Sequence, residues 1–416
     1  MDMRAASFRE VFAVAEFRAL WFAELQSVAG DQLARVALSV LVFSRTGSAA
    51  LTATTYALTL LPDLVSGPLL SGLADRFPRR RVMVVCDLAR AALVGVMAVP
   101  DVPLPVLAAL LVVVQLFAAP FTAAHAATMP VVLTGDRYVV GHAIRYMSRQ
   151  SGLVAGFAGG GAVVALIGTG QALALDAVTF ALSAALIGFG VRPRPAPEPS
   201  GPAARSAMGR MRAGGRVIMA DPRLRGLVGL AWLAGFVVVP EGLAAPYAAE
   251  IGAGPAAIGL LLAAHPAGLV AGSFVIRWLD PPRRLALVAP MAVAAIAPLV
   301  PFALRPGLVP AVVLLLISGA CGAYQITASA TFMRTVPDER RGQAFGLAGS
   351  GLVAVQGLGV AAGGLVAQAF GSAALAIALA GIAGLPAGLL TARGWFRANR
   401  NGFVARRDDS IAKSVR

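Results

Sequence analysis

Glu24, Asp31 and Arg35 lie in one long apolar run, within about 40° of each other at 100° per residue, so a helix there carries them on one stripe. Asp31 and Arg35 stand four apart, the spacing at which opposite charges on a helix pair and neutralise each other. The next apolar run holds Asp63, and an antiparallel hairpin of the two runs brings Asp63 to the depth of residue 29. Three carboxylates then face one arginine. In a low-dielectric setting an unmatched carboxylate takes up a proton at neutral pH or holds a cation. A second constellation is Glu241 with His265, which the same folding arithmetic sets within a turn of each other. It reads either as a proton-sharing couple or as a polar contact at a bundle interface. Asp63, Glu241, Asp31, Glu24 and His265 are the candidate proton-handling residues.

The elements that carry these groups are membrane-length. The 416 residues are 58% hydrophobic and 13% charged, with a mean hydropathy of +0.78, whereas a soluble domain carries about 25% charged residues. Apolar runs predict twelve helical spans at roughly 17–43, 49–74, 82–100, 104–128, 140–167, 170–191, 225–249, 255–279, 284–303, 308–333, 342–368 and 371–393. The expected fold is an all-α membrane protein of twelve transmembrane helices in two six-helix pseudo-repeat halves. The expected parts are residues 1–191, a cytoplasmic linker at 192–224, a second half at 225–393 and a basic cytoplasmic tail, loosely ordered, at 394–416. The first run is too long for a signal peptide and follows a 16-residue charged segment.

A net charge of +15 would point to nucleic acid in a soluble protein. Here position argues otherwise. Of 35 basic residues, 29 fall in loops or tails on one side of the predicted spans, two (Arg45, Arg305) on the other, and four (Arg35, Arg90, Arg145, Arg149) inside spans. Basic loops stay cytoplasmic, so both termini are expected inside, with no nucleic-acid partner. The excess of Ala, Gly, Pro and Arg over Lys suggests a GC-rich bacterial genome, and the expected location is the bacterial plasma (inner) membrane. Cys86 and Cys321 both sit in apolar runs and read as core residues rather than disulfide or metal ligands. No cofactor, metal site or enzyme chemistry is expected, and the chain is expected to be a monomer.

The linker opens Arg192-Pro-Arg-Pro-Ala-Pro-Glu-Pro-Ser-Gly-Pro, which cannot be helix. Beyond it Arg205, Met208, Met211, Arg212, Val217 and Ile218 suit a basic amphipathic helix on the membrane surface, or a flexible linker. The pentapeptide at Ser151 recurs at Ser350 at the same step of the second half, a parallel repeat. Gly152, Gly156 and Gly160 recur every fourth residue and let helix backbones approach closely. Asp176 is expected near the outer surface, as a helix-end or gate residue. Gln115, Phe117, Trp232, Tyr247, Tyr324, Gln325 and Gln356 are candidate cavity liners, although taken singly each suits plain packing better.

The loop Ser71-Gly-Leu-Ala-Asp-Arg-Phe-Pro-Arg-Arg-Arg81 resembles the signature Gly-x-Leu-Ala-Asp-Arg-x-Gly-Arg-Arg of the major facilitator superfamily, with Ser71 and Pro78 at the two glycine positions. Gly152-x-x-x-Gly156-Phe-Ala-Gly-Gly resembles that family's antiporter signature, with Phe157 at its proline. Arg145…Gln150…Gly156, Leu175-Asp176-Ala-x-x-Phe180 and Asp338-Glu-Arg-Arg-Gly342 are similar to twelve-span macrolide and siderophore exporters. The resemblance implies a rocker-switch drug/proton antiporter: protons enter while an amphiphilic drug or natural product leaves, the basis of multidrug resistance by efflux. Uptake of a small nutrient by symport and lipid flipping are the alternatives on the same fold. Asp75, Arg76, Arg79 and Arg80, with Asp87 and Arg90 pairing onto the loop, are the expected conformational latch. Many proton-coupled members carry an arginine in span four. Here span four holds Gln115 and His125 and no arginine, so that role does not carry over.

Overall fold

Apolar runs that cross a bilayer must satisfy every backbone polar group internally, and helix is the way a single segment does so. The computed structural model describes residues 7–70, 72–196 and 207–414, and among them there are helices and no strand. Ser71, the prolines at 197–202 and Arg205 lie outside the described residues.

Among the described residues nine helical stretches are long and apolar enough to cross a membrane. One of them, Asp136–Gly190, counts twice: it turns back at Gly168, whose φ of 81° is left-handed and suits a residue without Cβ. Two shorter crossings complete twelve. Span two is the pair Ala49–Ala57 and Asp63–Leu70, and span three is Arg79–Met97. Span two is broken because Pro62 has no N–H to continue the ladder. The break sets Asp63 in the first turn of the second piece, where a carboxylate meets the positive end of the helix. Span one is Ala15–Thr46, span eight Pro255–Ile276 and span eleven Arg341–Phe370. Span seven is four short helices between Pro222 and Glu250, with Pro240 and Pro246 among the interrupters.

The two halves repeat each other in packing. Gly156 of span five lies against Ala29 of span one, so that a Cβ there would sit 2.8 Å from the Ala29 carbonyl oxygen. Gly152 lies on Leu25 and Val28, and Gly160 on Leu33. In the second half span eleven takes the place of span five: Val355 meets Gly235 of span seven, and Gly351 meets Trp232. At Gly235 the small residue has changed sides, at Gly351 it has not, and the contact has stayed in both.

Two regions differ from the sequence expectation. The linker helix Ala207–Ala220 does not merely lie on the membrane surface. Gly214 fits against the Gln343 backbone at the start of span eleven, and Ile218 is buried with Ala344 and Phe332. The glycine removes the bulk that would hold the helix off. In the tail, the helix of span twelve continues from Ala373 through Ser414, with no proline or glycine pair to interrupt it after Pro386.

The apolar core is divided unevenly. Its largest cluster joins both halves and gathers the ends of spans away from the arginine loops, including Leu38, Ala53, Leu107, Tyr247, Leu262 and Ile377. At the arginine face each half keeps a separate cluster, around Phe17, Met83 and Leu133 in the first and Leu230, Val288 and Trp395 in the second. The halves are therefore welded at the far face and parted at the arginine face.

Candidate functional site

Where the halves part, they enclose a cavity of about 240 Å³ lined by residues of both. Arg35, Tyr56, Gln150 and Phe157 come from the first half, and Glu241, His265, Tyr324, Gln325 and Gln356 from the second. At its far end spans five and eight touch through glycine: a Cβ on Gly161 would sit 2.8 Å from the Cα of Gly259. Only residues without side chains permit that approach.

One hydrogen bond crosses the cavity. Tyr56 donates its phenolic O–H to the Glu241 carboxylate at 2.5 Å. Arg35 stands over the Tyr56 ring, its guanidinium carbon 5.9 Å from the centroid. His265 is on the same wall, and its Nδ1 is buried without a hydrogen-bond partner among the described residues. The expected Glu241–His265 couple is thus replaced by Tyr56–Glu241, because span two reaches the carboxylate from the opposite half. Beyond the bond, Ser48 of span two donates to Gln368 of span eleven at 2.9 Å. Among the described residues these two side-chain bonds join the halves, and both involve span two.

The remaining candidate acids sit in the first half, and Asp31, Asp87 and Glu24 have each found an arginine. Asp31 pairs with Arg90 at 2.9 Å, not with Arg35. Arg90 is only 4% exposed and stacks on Phe180 at 3.9 Å, so its position is set by packing before the charge is considered. Its other neighbour is Asp87, 3.9 Å away and wholly buried. Asp87 and Arg90 therefore do not pair with the Asp75 loop, and the expected latch loses both. Span three simply carries them past the loop to the level of Asp31. Asp176 is not at the outer surface. It is buried beside Gly30 of span one, accepts from Thr179 at 3.2 Å and feels the charges of Asp31 and Arg90.

Glu24 is the most crowded acid. Arg145 lies 2.5 Å from it, Arg149 3.6 Å and His125 3.9 Å. The glycine packing of span five against span one brings those two arginines onto the stripe. Three acids against one arginine thus becomes three acids among four. Asp63 is the exception: it is exposed, lies in the electrostatic reach of Arg35, Arg90 and Arg149, and forms no ion pair among the described residues.

The other singled-out residues divide. Tyr324, Gln325 and Gln356 line the central cavity. Gln115 lines a narrow crevice in the first half with Asp31, Arg35 and Asp176. Phe117 packs in the first half's arginine-side core, and Tyr247 is buried against Phe302 and donates to the Pro306 carbonyl at 2.5 Å. Trp232 donates to the Ala348 carbonyl at 3.3 Å, away from the cavity. In the loop, Arg79 donates to the Ala127 carbonyl at 2.7 Å and Arg80 to that of Gly188, while Asp75 and Arg76 are exposed. Tyr56 was not legible in the sequence, since one tyrosine in an apolar helix carries no pattern.

The family model for the Major Facilitator Superfamily matches residues 20–240. No curated protein matches the chain. Among solved structures, the chain is similar to a bacterial homolog of the human lysosomal transporter Spinster in an inward-facing, unoccupied conformation. The TM-score is 0.70 at 17% identity, covering 95% of this chain and 98% of that one. It is similar to the nucleoside transporter NupG, at TM-score 0.70 and 14% identity, over 92% and 99% of the two chains. It is also similar to a peptide transporter POT in complex with sulfate, at TM-score 0.72 and 16% identity, over 95% and 97%. These likenesses concern the fold, and the family match covers more than half of the chain: the protein belongs to the major facilitator superfamily.

Proposed function

We propose that this protein exports an amphiphilic small organic molecule from a bacterial cell in exchange for protons, by alternating access across the plasma membrane. The observation that carries the reading is Glu241. Its carboxylate stands in the cavity between the halves, has no ion pair among the described residues, and is held by a hydroxyl of the opposite half. An acid so placed changes its surroundings each time the halves rock, which is what coupling to a proton requires. The cavity offers glutamines and a carboxylate beside Phe157, Leu153 and Leu269, a lining that suits a neutral or cationic amphiphile.

The excess of arginine at one face makes that face cytoplasmic. The weld at the far face then makes this conformation inward-facing. In it the Asp75 carboxylate is exposed and has no hydrogen bond or ion pair among the described residues, as suits a latch that engages only when the arginine face closes. Asp75→Asn should slow transport while leaving substrate affinity within a few-fold. Lost binding with an unchanged cycling rate would rule the latch out.

One feature favours uptake symport instead: span five runs as unbroken helix through Gly152–Gly161, with Phe157 at the position of the family's proline. Flux decides between the two. Everted vesicles with an acid interior should accumulate fluorescent cationic and neutral amphiphiles only when the protein is present. Accumulation of peptides or nucleosides by intact cells, with none in everted vesicles, would replace export by import.

A further inference from the structure

Two clefts at the arginine face lie outside the transport cavity. They have volumes of about 390 Å³ and about 630 Å³ and share Arg80, Arg194 and Pro195 as a common wall. Arg79 and Arg192 complete the first, and Arg81 with Pro78 the second. Five arginines thus converge where the start of span three meets the chain leaving span six. Among the described residues the carboxylate that pairs with them is Glu16, which takes Arg194 at 2.8 Å and Arg192 at 3.6 Å.

The arginines are not equivalent. Arg79 and Arg80 are tethered to backbone carbonyls of spans four and six, which fixes the walls. The Nε of Arg79 is nonetheless buried without a hydrogen-bond partner among the described residues. Arg81 is exposed and has no partner among them. Arg192 keeps 84% of its side chain exposed despite Glu16. The site is built, and it holds more positive charge than the described residues answer. The N-terminal end of span three, with Pro78 as its cap, adds the positive end of a helix dipole.

The second feature is apolar. Val84 and Val85 line the larger cleft and Val131 the smaller. Val85 is 60% exposed, and Leu88, one turn further along the same helix, is also exposed. A guanidinium floor therefore opens directly onto an apolar strip that runs up the outside of span three. A soluble anion would answer the first half of this surface and leave the second bare. A molecule with an anionic head and hydrocarbon chains answers both.

We propose that these joined clefts bind the phosphate headgroup of an anionic phospholipid of the leaflet at the arginine face, with an acyl chain on Val85 and Leu88. The bound lipid bridges span three and the start of the linker. It adds negative charge where five arginines meet a single described carboxylate.

The test uses the full chain, purified and delipidated in neutral detergent. Retained lipid is counted by native mass spectrometry during titration with phosphatidylglycerol or phosphatidylcholine. Phosphatidylglycerol should bind in preference. Arg81→Gln and Arg192→Gln should each weaken it by about five-fold, and the pair together by about twenty-five-fold. Arg81→Lys with Arg192→Lys should keep most of the binding, which separates lost charge from lost fold. Equal binding of the two lipids would overturn the proposal, as would an undiminished preference in the double glutamine variant. Competition by sn-glycerol phosphate as effective as the whole lipid would show a soluble-phosphate site and overturn the lipid assignment.

Discussion

Tyr56 and Glu241 are joined by a 2.5 Å hydrogen bond that runs from span two of the first half to span seven of the second. It sits at the boundary between the welded far face and the open cavity, so its loss should act on closure before it acts on substrate. A hydrogen bond to a charged group contributes about 1.5–3 kcal/mol. Tyr56→Phe should therefore raise the population open at the far face by about tenfold or more. Spin labels at Leu51 and Phe370, both exposed on that side, report it as a longer-distance component. An unchanged distance distribution would mean that the bond does not hold the far face shut.

Arg90 offers a second measurement. Only 4% of its side chain is exposed, and it serves Asp31 and the wholly buried Asp87 together. Removing it leaves two acids without their nearest cation, and breaking a buried pair in this way costs about 3–5 kcal/mol. Arg90→Ala should lower the thermal midpoint markedly, and adding Asp31→Asn should recover part of the loss. Strictly additive penalties in this four-protein cycle would show that the two residues are not coupled.

The crossings were legible in the sequence because membrane thickness sets their length, and the Glu24–Asp31–Arg35 stripe because helical period does. Partner choice was not legible. The spacing of Asp31 and Arg35 names a good local pair, but Arg90 is held by Phe180 at the same level and is already desolvated, so the tertiary pair wins. Glu24 illustrates the same limit. Its arginines come from span five through the glycine row, and spacing within one helix does not report which helices that row brings together. Tyr56 carries no periodic signal and became visible only when span two was seen to meet span seven.

The glycine row supplies a prediction with its own control. A Cβ at Gly156 would lie 2.8 Å from the Ala29 carbonyl and 2.9 Å from its Cα, whereas one at Gly159 would meet nothing within 4 Å. Overpacking costs about 1–3 kcal/mol. Gly156→Ala should lower the thermal midpoint and separate spans one and five, loosening Glu24 from Arg145. Gly159→Ala should match the parent protein. Equal effects of the two substitutions would place the row's importance in helix propensity rather than in contact.

Coupling is the sharpest test of the functional reading. A proton-driven exporter needs an acid that is protonated in one facing state and ionised in the other. Glu24 is held by Arg145 and Arg149, and Asp31 by Arg90, so both have a standing counter-charge. Asp87 and Asp176 are buried inside the first half, away from the cavity lining. Asp63 and Glu241 remain: one exposed below the break in span two, the other on the cavity wall, and neither in an ion pair among the described residues. Asp63→Asn or Glu241→Gln should abolish accumulation driven by a pH gradient. Substrate exchange at equal pH on the two sides should continue, because rocking and binding do not need the proton. Reconstituted vesicles separate the two activities. If both variants still concentrate substrate against its gradient at the parent rate, neither acid carries the proton, and His265 with its unpartnered Nδ1 becomes the next group to substitute.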